Sequence, residues 1–303
     1  MNQLDFGKLV ASLRKEHEDE QGAPWTQEKL SQEANLAAGS LIFSEDIISS
    51  IERGKRNLER QTLLALATAL QLTSDERKEF FLAASGINTP EIARRESNPK
   101  EVYSQVIDSL KALYVPATVL DSYCNCLAVN HILLELLDFP SAYSMTAGTT
   151  YDQPHRYNLL RFLFSEDGSN HFHKLVGEEF SDFAYHAVSI FRTYSLAYRS
   201  TKKFQDLLDE LRKSRLFKRY WDEIYFTEKE RKFSSAYIRT ASPRWGNLSM
   251  FITSRTALTT AGELHLAVFA PADAKTSNAC DQVLHLIGSP TVFNLTPWPN
   301  KAE

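Results

Sequence analysis

The chain has 303 residues, with 34 Lys+Arg against 38 Asp+Glu for a net charge of −4, and 43% apolar and 24% charged residues. These proportions, with only 11 Gly and 11 Pro, exclude collagen-like, low-complexity, disordered and membrane-spanning classes and predict roughly two domains of ~150 residues. No run approaches ~18 apolar residues, the start MNQLDFGKLV has no charged-then-apolar leader, and Cys124, Cys126 and Cys280 are too few for a disulfide framework, so a cytoplasmic chain without a membrane partner is expected.

The first 86 residues read as helices only. Phe6, Leu9, Val10 and Leu13 form one apolar stripe of a first helix. Thr26 before QEKLSQEA is an N-cap signature for a second. A third carries Ile47, Ile48 and Ile51 and stops at Arg53-Gly54. A fourth holds Leu63, Leu66, Ala67 and Leu70. The fifth runs from Ser74 as N-cap through Phe80, Phe81 and Ala84 to Gly86.

Residues 89–99 read as a connector, with Pro90, Pro99 and a run of charges. Val102, Val106, Leu110 and Leu113 then continue a helix. PATVLD and CLAVN follow as two strands joined by a turn near 121–125. Helical stretches are predicted at 130–138, 155–164, 179–198 and 203–221, with His171 and His173 in a loop. The strands KFSSAYIRTA, GNLSMFITSRTAL and GELHLAVFAP come last, separated by turn residues around 243–246 and 261–262. An all-α bundle followed by a five-stranded antiparallel sheet with helices is an α+β chain.

The segment TQEKLSQEA, SEDIISSIERGKR and LLALATALQL orders helix, turn, helix, basic turn, helix, as a helix-turn-helix requires. Thr26 and Gln27 open the first helix of that pair, whose free N–H groups suit a phosphate. Ser44, Glu45, Asp46, Ser49 and Ser50 point outward from the recognition helix. Arg53, Lys55 and Arg56 cluster beyond it to hold phosphates. Residues 1–97 carry 12 basic and 16 acidic residues, so nonspecific DNA affinity is expected to be weak. The closure Ile51-Glu52-Arg53-Gly54 resembles that of Xre/Cro-type repressors over about residues 4–86. Against that family, the turn from Ala34 to Ser44 is long.

The second half resembles the ligand-binding domain of MmyB-like transcription regulators, a PAS-like fold. The residues that carry this are VPATVLDSYCNCLAVN, NLLRFLF at 158–164, FRTYSLAYRS at 191–200 and SRLFKRYWDE at 214–223; Val129 and HFHK at 171–174 depart from the family's pattern. The resemblance implies a fatty acid, such as a long-chain saturated one, as bound ligand. Phe183, Ala187 and Phe191 lie on one apolar helix face and Trp221 at a pocket edge, and Tyr157, Asn158, Arg161 and Arg192 are the candidates for the head group.

The expected organisation is a DNA-binding domain at 1–88, a linker at 89–99, a ligand-binding domain at 100–272 and an extension at 273–303. The expected function is a homodimeric regulator that binds a double-stranded DNA operator and a small lipid-like effector. The alternative is a regulator whose second domain only dimerises or binds protein, without a ligand. No catalytic triad, phosphate loop or zinc spacing stands in the sequence, so no enzyme activity, metal or required cofactor is expected.

Overall fold

The structure, a computed structural model, describes residues 3–56, 58–86, 98–138, 157–224, 236–289 and 291–299. Nearly all of the expected linker, the first four residues of the strand KFSSAYIRTA and the first two of the helix expected at 155–164 lie outside them. The chain packs as two compact units. One comprises Met1–Asn88, Arg192–Glu210 and Trp221–Arg231; the other comprises Thr89–Phe191, Leu211–Tyr220 and Lys232–Glu303. The sequence reading assigned residues 192–210 to the second domain. They cluster with the first because Leu196 is buried in its core.

The first unit holds α1 (Gln3–Glu16), α2 (Gln27–Ala38), α3 (Glu45–Glu52), α4 (Arg60–Ala69) and α5 (Ser74–Ala84). Leu9, Val10, Leu13, Leu30, Ile48, Ile51, Leu66 and Phe80 form its core. Thr26 Oγ1 accepts from Lys29 N at 3.0 Å and Ser44 Oγ from Ile47 N at 3.3 Å, so each cap satisfies an orphan helix donor. The N-cap of α5 is Thr73 rather than the expected Ser74. Its hydroxyl accepts from Glu76 N at 3.2 Å, while Glu76 Oε2 accepts from Thr73 N at 2.9 Å, a reciprocal capping box.

The turn that the sequence suggested from Ala34 to Ser44 is shorter. Helix α2 runs on to Ala38 and stops at Gly39, which adopts φ +66°. Asn35 clamps the loop beyond: its Oδ1 accepts from Ile42 N (2.9 Å) and Phe43 N (2.8 Å), and its Nδ2 donates to Phe43 O (2.9 Å). Phe43 is buried, and Leu41 and Ile42 are exposed.

The second unit begins with α6 (Pro99–Lys111), β1 (Ala117–Asp121), β2 (Cys126–Asn130) and α7 (His131–Leu136). It continues through α8 (Leu159–Phe164), α9 (Glu166–Val176) and α10 (Phe180–Ser195), whose last residues belong to the first unit. The chain then forms α11 (Lys202–Leu211), which belongs to the first unit up to Glu210, and α12 (Arg215–Glu223), which belongs to the second up to Tyr220. Strands β3 (Ala236–Ser242), β4 (Gly246–Thr259) and β5 (Gly262–Pro271), helix α13 (Ala274–Ile287) and strand β6 (Val292–Asn294) complete the second unit. Two helices stand where one was expected at 203–221. Residues 171–174 lie in helix α9, not in a loop. Among the described residues the antiparallel sheet has six strands, in the order β3-β4-β5-β1-β2-β6, not five. The sixth comes from the expected C-terminal extension and pairs Val129 with Phe293.

Two buried side chains lock the central hairpin. Asp121 accepts from Tyr123 N, Asn125 N and Asn125 Nδ2 at 2.8–2.9 Å. Asn130 accepts from Ala117 N (3.0 Å) and Leu133 N (3.1 Å) and donates to Val115 O (2.7 Å), joining strand, hairpin and helix cap.

Candidate functional site

The β1–β2 pairing matches Thr118 with Val129, Val119 with Ala128 and Leu120 with Cys126, so Leu127 is an extra residue on β2. Two residues on one face of a regular strand are separated by an even number of positions. Here the bulge brings Cys126 and Val129, three apart, to the same face as Thr118 and Leu120, and all four line one cavity. Ala117 and Val119 point the other way, into a core with Ile107 and Leu110 of α6. The sheet thus spends one face on packing and the other on a space.

That space is about 110 Å³, whereas one water needs only ~10–15 Å³. Helices close it with Leu133 and Leu137, Leu159 and Phe162, Phe172, and Phe183, His186, Ala187 and Ile190. Ile238, Ile252, Ala267 and Phe269 complete the sheet wall. Its polar groups are quiet. Thr118 Oγ1 donates to Ala128 O (2.9 Å) and lies 3.0 Å from Cys126 Sγ. Burial pushes the Cys126 thiol up to about 11, so it is protonated at neutral pH. Burial lowers the pKa of His186, leaving a neutral imidazole. Such a wall offers hydrocarbon surface and no charged partner, the chemistry that suits an apolar group taken out of water.

Of the residues singled out for a ligand, Tyr157, Phe183 and Ala187 line this cavity. Asn158 is completely buried and serves as a brace: it caps α8 through Leu160 N and Arg161 N, and donates to Tyr123 O (2.7 Å) and Asn125 Oδ1 (3.1 Å). Arg161 is half-buried beside the lining residue Phe162 but does not itself line the cavity. Phe191 is buried and is not in the wall either. His186 and Ile190 were missed, although both follow from the α10 stripe once Phe183 and Ala187 face inward.

Arg192 and Trp221 belong elsewhere. The Arg192 guanidinium is committed to Glu76, with Nε to Oε1 at 3.0 Å and Nη2 to Oε2 at 3.2 Å, and its Nη1 donates to Trp221 O at 2.9 Å. Arg199 donates to Glu76 Oε1 as well, to Glu16 Oε2 (2.8 Å) and to Arg192 O (2.9 Å). Both guanidinium groups lie over the Trp221 ring, at 5.0 and 5.2 Å. Burial alone would raise the Glu76 pKa, yet the Arg192 and Arg199 charges overcome it and bring the carboxyl to about 2. Neither Arg192 nor Trp221 lines the sheet cavity: Arg192 is a buried ion-pair partner of Glu76, and Trp221 is the ring beneath both guanidinium groups, at the edge of a separate pocket with Glu16 and His17.

In the first unit, Thr26 and Ser44 spend their side chains as caps. The Gln27 amide, expected to face DNA, donates instead to Glu52 Oε2 at 2.6 Å; Glu52 also receives Arg14 at 2.6 and 3.1 Å. Glu45 and Asp46 are exposed in the first turn of α3, and Ser49 and Ser50 are half-buried. Arg53, Lys55 and Arg56 are exposed past its C-terminus, with Arg53 Nε on Ser49 O at 3.1 Å. The Ile-Glu-Arg-Gly run therefore divides its labour: Ile51 for the core, Glu52 for the α1–α2 contacts, Arg53 for the surface and Gly54 for a left-handed turn at φ +65°.

A protein-family comparison matches residues 102–283, more than half of the chain, to the MmyB-like transcription regulator ligand binding domain. Among curated proteins none matches the chain.

Proposed function

Because the chain belongs to the MmyB-like transcription regulator family, we propose that it is a one-component regulator that binds operator DNA through α1–α5 and an apolar, fatty-acid-like effector in the sheet cavity. The carrying observation is the cavity itself: an interior left open behind a bulged strand and walled by hydrocarbon. A domain serving dimerisation alone has no need of that space, and close packing ordinarily removes it. The effector's tail fills it. Arg161, on α8 one residue from the lining Phe162, is the cation we assign to the head group, since an unpaired buried carboxylate is too costly.

On the DNA side, α3 enters the major groove from its Ser44 end, with Ser49 and Ser50 facing bases. Arg53, Lys55 and Arg56 hold phosphates. A single recognition helix reads little sequence, so two copies act as a homodimer on a pseudo-palindrome with half-sites about 34 Å apart. Denaturing extraction of the purified protein followed by mass spectrometry tests the effector: a stoichiometric acyl compound is expected. Its absence, together with no binding of added long-chain fatty acids, would return the second domain to the dimerisation reading.

A further inference from the structure

Glu76 closes the capping box of α5, yet unlike a surface cap it is completely buried. A buried carboxylate persists only with matched charge and full hydrogen bonding. Arg192 and Arg199 provide both, and Leu196 between them completes the core of the α1–α5 bundle. The bundle thus takes an essential part of its interior from a segment more than a hundred residues away in sequence.

Arg192 stands on the helix that also walls the cavity. Phe183, His186, Ala187 and Ile190 of α10 line it, and Arg192 lies two residues beyond Ile190, ~3 Å further along the axis. The peptide ladder between them is continuous, so a shift of the wall carries the guanidinium with it. Two parallel N–H···O bonds at 3.0 and 3.2 Å tolerate little such displacement.

We propose that Arg192, Arg199 and Glu76 form a relay: occupancy of the cavity sets the position of α10, and the arginine pair passes that position to the capping turn of α5 and so to the α1–α5 bundle. The relay rests on the reading that the cavity takes an apolar effector. Its three members are positioning residues; none touches the effector. The coupling is a difference in free energy between two packed arrangements, the form that linkage requires.

The test fills the cavity in the full-length protein and reads amide hydrogen exchange in Ser74–Ala84. Filling is done covalently with Ala187→Phe, or with the more adaptable Ala187→Met, and separately with dodecanoate. Each is repeated in Glu76→Gln, which keeps the capping-box acceptor and removes the charge, and in Arg192→Lys, which keeps the charge and loses the paired geometry. Filling is expected to change exchange in Ser74–Ala84 by about threefold or more in the otherwise wild-type chain, and by less than about half that in either relay variant. The relay is overturned if Ser74–Ala84 does not respond to Ala187→Phe or Ala187→Met, or responds equally with the ion cluster broken. Failure of dodecanoate to bind would count against the effector reading alone, because the covalent filling still decides the relay.

Discussion

Gly7 shows how little room a single position can have. A Cβ there would meet Glu52 O at 2.4 Å and Ile51 O at 2.6 Å, both backbone atoms at the end of α3 that cannot swing aside. Gly7→Ala gains ~1 kcal/mol of helix propensity and loses about 3 kcal/mol to overpacking, for a net destabilisation of roughly 2 kcal/mol. Urea unfolding checks this; an unchanged midpoint would mean that α1 and α3 yield more easily than their backbones suggest. Arg161 carries a second expectation at this scale. Arg161→Met is expected to strip acyl compound from the purified protein, and full retention would assign the head group to other donors. The residue scale is also where sequence reasoning reached least far. A partner 116 positions away, as Glu76 is from Arg192, leaves no periodicity to read. The cap of α5 was placed one residue late, at Ser74 instead of Thr73, and the burial of Glu76 left no mark in the sequence at all.

Elements were far more legible. The five long strands follow from β-branched runs bounded by turn residues, and α1 to α5 from apolar stripes, caps and the stops at Gly54 and Gly86, although the stop at Gly39 was not read. Helix α9 was missed because His171 and His173 alternate like loop residues. In the fold His173 stacks on Phe180 at 3.7 Å and Phe172 turns into the cavity. Strand β6 was missed because three residues carry no pattern until β2 offers them an edge. The bulge at Leu127 was equally hidden, since it is defined by the register of the partner strand. For α3 and its basic turn, replacing Arg53 and Arg56 by Ala is expected to weaken DNA binding at every sequence. It is also expected to flatten the dependence of log K on log salt by ~1 per lost phosphate contact. An unchanged slope in fluorescence anisotropy would remove both from the phosphate contacts.

For the molecule as a whole, buried titratable groups make stability fall on acidification. Burial, with help from the Arg192 charge, lowers His17 from the usual 6.5 to about 4, and burial takes His265 to about 3. Each histidine is then protonated in the unfolded chain before the folded one, so stability is fullest above pH 6.5 and declines as pH falls toward 4. Glu76, held at about 2, adds stability that is present above 4.5 and is lost below it. Urea midpoints are therefore expected to drop steadily from pH 7 to pH 4; a flat or rising profile would contradict the burial of these groups.

The central claim is that a ligand in the sheet cavity alters how the helical bundle binds DNA. Its most direct test is the affinity of the delipidated protein for a duplex selected in vitro from random sequence, titrated with and without saturating dodecanoate. Coupling of the usual size would separate the two curves by about fivefold or more. Superimposable curves, with dodecanoate shown calorimetrically to be bound, would contradict it.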